Sequence, residues 1–134
     1  MTAEVPPENP LHDTAIEIAV LGAMMTERDA VSVGITFLRG NADILYVPRH
    51  RNIFRAIVGL HNSGDSVDIM TVTNALREKG NLEQSGGAKY VAAFIQKVHN
   101  ASALQTHCAV LIDLYAKRRT AEIDDVAALE IIIA

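Results

Sequence analysis

Between Val67 and Val91 the chain reads VDIMTVTNALREKGNLEQSGGAKYV, and the residue types that start, stop or turn a helix stand there at the places where those jobs are done. Asp68 is an N-cap, a short carboxylate that accepts a backbone N–H the first helical turn otherwise leaves unpaired. The spacing predicts a helix over Thr71 to Lys79, stopped by Gly80, which takes the left-handed conformation without a Cβ clash. Asn81 to Ser85 follows as a polar loop with one apolar residue, Leu82. The adjacent Gly86 and Gly87 make a turn that needs positive φ, and a second helix opens behind them with Ala88 and Val91 as its first apolar positions. Two helices punctuated in this way must each bury a face, so the rest of the chain has to supply helices to bury them against.

It does. The first ten residues hold three of the four prolines and read as an extended arm over 1–12. A helix starts near Asp13 or Thr14, where Thr14 and Glu17 have capping-box spacing, and runs to about Met25. It is apolar on nearly every side, and such a helix must be buried or shared with a partner. Asp29 is expected to cap a shorter helix that ends at Gly40. Ile44 to Val47 is a brief apolar run stopped by Pro48, too short to separate a strand from a loop that plugs the core. From Arg49 a helix of about four turns follows, with Ile53, Phe54, Ile57 and Leu60 on its apolar edges. After the double glycine, Val91, Ala92, Ile95 and Val98 keep a helical period as far as His99-Asn100. Ser102 is an N-cap candidate for a last helix carrying Leu104, Cys108, Leu111 and Tyr115, which Lys117-Arg118-Arg119 is expected to end or interrupt. Beyond it, Ile131, Ile132 and Ile133 point to a partner surface or a truncated element.

The expected fold is therefore all-α: about six helices joined by short loops, behind an extended arm over 1–12. Abundant Ala, Ile, Val and Leu with no Trp suits helices packed on helices.

A net charge of −4 is the wrong sign for a domain that binds nucleic acid chiefly by neutralising phosphates, so a stand-alone DNA-binding regulator is disfavoured. No signal sequence or membrane span is visible, and a cytoplasmic protein is expected. The single cysteine, Cys108, reads as a small buried hydrophobe. Nucleotide hydrolysis needs a glycine-rich loop ending in Gly-Lys-Ser/Thr, which the sequence lacks. His107 and Cys108 are adjacent and point apart on a helix, while the other histidines are scattered, so no metal site is expected. No catalytic or cofactor-binding residue stands out. Arg49, Arg51 and Arg55 could read as a phosphate-binding patch, but a solvated face is the simpler reading. The apolar positions Leu104, Cys108, Leu111, Tyr115 and Ile131, together with Arg118, are the candidate partner surface, which favours an interaction domain over an enzyme.

The run VDIMTVTNALREKGNLEQSGGAKYVAAF resembles the N-terminal domain of DnaB-type bacterial replicative helicases, with its pattern V/I-D-x-x-T-V-x-x-x-L-x-x-x-G-x-L-x-x-x-G-G-x-x-Y-L. AIEIAVLGAMM is similar to the family's E-x-x-V-L-G-x-x-L, and YVPRHRNIFRAIVGLHNSG to its F-Y-x-x-x-H-x-x-I-F-x-A-I-x-x-L-x-x-x-G. The likeness runs from Ala15 to about Asp113, and it implies a compact globular subdomain over 13–100 followed, over 101–134, by a long helix that begins an incomplete helical hairpin. It places structural positions on Asp68, Gly80, Gly86, Gly87 and Tyr90, and departs from the pattern at Ser102-Ala103-Leu104-Gln105 and His107. The resemblance implies a role in oligomerisation, as dimers and then a hexamer in the parent protein, with primase and a helicase loader as partners and DNA met only through the assembled parent. ATP and magnesium would belong to a C-terminal motor domain absent from this sequence, so the domain itself would need no cofactor and perform no catalysis. A motor-less helicase-loading or accessory protein with the same helical domain is the alternative.

Overall fold

A computed structural model describes residues 11–97 and 101–133, with side chains as far as Glu122 apart from Lys97 and Ala101; among the described residues all regular structure is helical. The α-helices are α1 (Thr14–Thr26), α2 (Ala30–Leu38), α3 (Pro48–Asn62), α4 (Ile69–Glu78), α5 (Gly87–Ala93) and α6 (Leu104–Ile133). Short 3₁₀ turns at Ala42–Ile44, Glu83–Ser85, Phe94–Lys97 and Ala101–Ala103 link them.

α1 is the axis of the bundle. It packs against α2, α3, α6 and the Phe94–Lys97 turn, which is how a helix apolar on all sides is buried within this chain. Val20, Leu21 and Met24 have no exposed surface. Asp13 is the N-cap, its Oδ1 accepting the Ile16 N–H at 3.1 Å. Glu17, despite its capping-box spacing from Thr14, turns into the interior instead. α2 crosses α1 where Gly34 meets Met24, and a Cβ at Gly34 would lie 2.8 Å from the Met24 sulfur. Asp29 does not cap α2 as expected: its backbone is already helical and its side chain makes no capping bond. The run from Ile44 to Val47 resolves as a plug, with Ile44, Leu45 and Val47 buried and Pro48 opening α3, where its missing N–H costs nothing.

On α3, His50, Ile53, Phe54 and Ile57 fall on one buried stripe at helical spacing. α4 begins two residues earlier than the sequence suggests, and a reciprocal capping box closes its start. The Asp68 carboxylate accepts the Thr71 N–H and the Thr71 hydroxyl accepts the Asp68 N–H, each at 2.9 Å. At its far end Gly80, at φ +72°, lets the Asn81 N–H reach back to the Leu76 carbonyl and its own N–H to that of Arg77, a paired C-terminal closure.

Gly86 and Gly87 both have positive φ. α5 then lasts seven residues before tightening into the 3₁₀ turn. The tightening corrects the expected register: three residues complete one 3₁₀ turn, so Phe94 falls beneath Val91 and is buried, while Ile95 swings out to 46 % exposure. His99-Asn100 lies outside the described residues.

α6 is a single helix of 30 residues, roughly 45 Å long at 1.5 Å per residue. Lys117-Arg118-Arg119 neither ends nor interrupts it. Lys117 pairs with Asp113 and Arg119 with Glu122 along the helix surface, while Arg118 points inward. The first two turns of α6 complete the core through Leu104, Cys108 and Leu111.

Candidate functional site

A polar cluster buried in the core is built from three distant parts of the chain. Glu17 of α1 and His50 of α3 have no exposed surface, and Glu17 Oε1 lies 2.8 Å from His50 Nδ1. Nε2 of the same ring is 2.7 Å from the Tyr90 hydroxyl of α5. A carboxylate only accepts, so Nδ1 carries a proton, and in the neutral ring Nε2 accepts from Tyr90. Phe94 meets His50 edge to face with ring centroids 5.5 Å apart, and the Arg49 guanidinium sits 5.2 Å from the centre of the Tyr90 ring. Burial raises the Tyr90 pKa, and the positive charge of Arg49 pulls the other way. The ring also rests on Gly86, where a Cβ would lie 2.5 Å from a ring carbon, so this glycine is needed for space as well as for its backbone angle.

Glu17 has a second task. Its carboxylate accepts the backbone N–H groups of Tyr46 at 2.7 Å and Val47 at 3.3 Å, while Arg51 donates back to the carbonyls of Leu45 and Tyr46. Arg118 adds the Ile44 carbonyl at 2.9 Å. The plug loop, which has no ladder of its own, therefore has its backbone bonded by side chains from α1, α3 and α6, as buried peptide groups require. This explains the basic residues at the start of α3, where the helix dipole disfavours them. Arg49 lies over an aromatic ring and Arg51 bonds the loop, both half-buried, while Arg55 is exposed.

Glu17 and His50 are closed to solvent while Tyr90 is half-buried, and their hydrogen bonds tie α1, α3 and α5 together. Among the described residues no group of three or more His, Cys, Asp or Glu could hold a metal ion. No helix there is long and apolar enough to cross a membrane.

The candidate partner residues fall into three groups. Leu104, Cys108 and Leu111 are covered by this chain's own helices, because their stripe is the face α6 turns to α1 and α2, and they are not available to a partner. Burial pushes the Cys108 thiol up to about 11. Tyr115 and Arg118 are half-buried, the guanidinium 5.7 Å from the Tyr115 ring centre. Ile131 lies on α6 with its side chain outside the described residues.

A family model described as the DnaB-like helicase N terminal domain matches residues 9–113. The chain belongs to the DnaB-like helicase N-terminal domain family. The replicative DNA helicase DnaB of Leifsonia xyli subsp. xyli is 31 % identical over 117 residues, which is 87 % of this chain and 25 % of that protein. That of Rhodothermus marinus is 37 % identical over 103 residues, 77 % of this chain and 11 % of that protein. The chain thus spans a quarter or less of the length of these two curated relatives. The crystal structure of the N-terminal domain of DnaB helicase from Mycobacterium tuberculosis superposes with a TM-score of 0.85 at 29 % identity, covering 90 % of this chain and 85 % of that one. The all-α architecture is that of the DnaB-like domain.

Each of the three motifs that carry the likeness to DnaB contributes one member of the buried cluster: Glu17 opens E-x-x-V-L-G, His50 is the histidine of the second pattern and Tyr90 the tyrosine of the third. Glu17 was the residue sequence reasoning missed. The available signal was an acid on a helix with no polar face, together with a histidine in register with Ile53, Phe54 and Ile57. Polar groups on buried stripes must find partners, and these two find each other.

Proposed function

We propose that this chain works as the N-terminal domain of a replicative DNA helicase, through protein–protein contact and without chemistry of its own, in the cytoplasm. In this reading it self-associates, as a dimer and within a hexamer of the parent protein, and offers docking to primase and to a helicase loader. DNA is met only by the assembled parent, whose ATP and magnesium chemistry lies in a separate motor domain. The supporting observation is that proteins described as replicative DNA helicase DnaB match this domain over most of its length. In this reading self-association uses the outward side of α6, where Val110 is exposed, and its far part, which includes Ile131.

Sedimentation velocity over a range up to high micromolar concentration is expected to show a concentration-dependent shift to larger species. A strict monomer throughout counts against self-association. Binding of the primase C-terminal domain to the intact parent helicase tests the docking role, and no detectable complex removes it. A Gly-x-x-x-x-Gly-Lys-Ser/Thr motif in the parent gene separates a helicase from a motor-less accessory protein.

A further inference from the structure

Among the described side chains of α6, the fully buried ones stand at its beginning. Leu104 to Leu111 is inserted between α1 and α2, an anchored stretch of roughly 10 Å at 1.5 Å per residue. Further along, Ile112 and Tyr115 are partly buried against the core, and Arg118 follows. Its Nη1 donates to the Leu11 carbonyl at 2.7 Å and its Nη2 to the Ile44 carbonyl at 2.9 Å. The guanidinium lies 5.4 Å from the Tyr46 ring centre and 5.7 Å from that of Tyr115. One planar group thus ties α6 to the segment leading into α1 and to the plug loop between α2 and α3. Thr120, Ala121 and Glu122 beyond it are exposed, and the helix continues to Ile133.

We infer that Arg118 is a latch that sets the direction in which α6 leaves the body, and that freeing its guanidinium lets the part from Arg119 to Ile133 change direction while the core stays folded. Two features make the latch separable from the core. The buried residues Leu104, Cys108 and Leu111 lie two to four turns upstream, and the atoms that Arg118 hydrogen-bonds are main-chain carbonyls, which a change of side chain leaves in place. Burial lowers the Arg118 pKa, as expected of a desolvated guanidinium held by neutral acceptors. A lysine in its place could not span both carbonyls and stack between the rings, because its charge is a single point on a flexible stem. The lever is long enough to matter: past Arg118 it extends roughly 22 Å, so a tilt of about 10° moves its tip by about 4 Å.

The test is a distance measured by pulsed electron resonance in the 134-residue chain between spin labels at Asn62→Cys, at the end of α3, and Ala128→Cys, on the far part of α6. Cys108 stays unlabelled because it is buried. The parent is expected to give one narrow distribution. Arg118→Ala and the stem-retaining Arg118→Gln are each expected to shift or broaden it while cooperative thermal unfolding persists, and Lys117→Ala, which removes only an exposed pair with Asp113, is expected to leave it unchanged. Distributions in both Arg118 variants that superimpose on the parent's would overturn the latch. So would loss of the folded state in both, since Arg118 would then be a pillar of the core.

Discussion

His50 and Glu17, 33 positions apart in the chain, meet at 2.8 Å with neither side chain reaching solvent. Removing one member leaves the other buried without the hydrogen bond between them. His50→Ala, which also empties the volume of the ring, is expected to lower stability by about 2 to 4 kcal/mol, read as a shift in the urea midpoint at constant slope. A loss below about 1 kcal/mol would mean that water enters the site and replaces the ring.

Tyr90→Phe removes the hydroxyl that satisfies Nε2 and is expected to cost about 1 to 2 kcal/mol at neutral pH. Its pH dependence is more telling. Burial raises the folded-state pKa above the ordinary tyrosine value of 10.0, so the folded state holds this proton more tightly than the unfolded chain. The resulting stability is fully present below pH 10 and is lost as pH rises through the raised value. The parent should therefore lose stability above pH 10 faster than the phenylalanine variant, and parallel melting curves in the two proteins would contradict the assignment.

Gly80 and Gly86 share a positive φ but differ in surroundings. Nothing stands within 4 Å of a Cβ built on Gly80, whereas one on Gly86 meets the Tyr90 ring at 2.5 Å. Gly80→Ala is expected to cost about 1 to 2 kcal/mol from the backbone alone. Gly86→Ala should cost about 1 to 3 kcal/mol more, because the ring that closes the buried cluster must move. Thermal unfolding of the two variants side by side checks the order.

Cys108 offers a chemical readout of the core. With no exposed surface and a thiol pushed up to about 11, it should resist a thiol-reactive disulfide reagent at pH 8 and react fully once denaturant unfolds the chain. Fast reaction of the native protein would show that α6 opens away from α1.

Helix ends were legible where the signal is local. Asp68, Gly80, Gly86 and Gly87 act within a few residues of themselves, and reading the types in order located the turns. The register after Val91 was misread because nothing local marks the switch from an α to a 3₁₀ turn, which tertiary packing of Phe94 decides. Lys117-Arg118-Arg119 was misread as a helix end because favourable cations in a last turn look the same in sequence as a cation recruited by a distant carbonyl. The buried cluster was illegible for a related reason: its pairings span 33 and 40 positions, and a single sequence holds no measure of distance between Glu17, His50 and Tyr90.

The plug loop between Ala42 and Val47 has a consequence for motion. Loops usually exchange their amide protons readily, since their N–H groups face water. Here the Tyr46 and Val47 protons are held by a carboxylate that is itself bonded to His50, so their release is expected to follow the parting of α1, α3 and α5. A segment whose regular structure is a single 3₁₀ turn should therefore keep its protons as long as the core helices do, and its exchange rates would serve as a clock for opening of the whole domain.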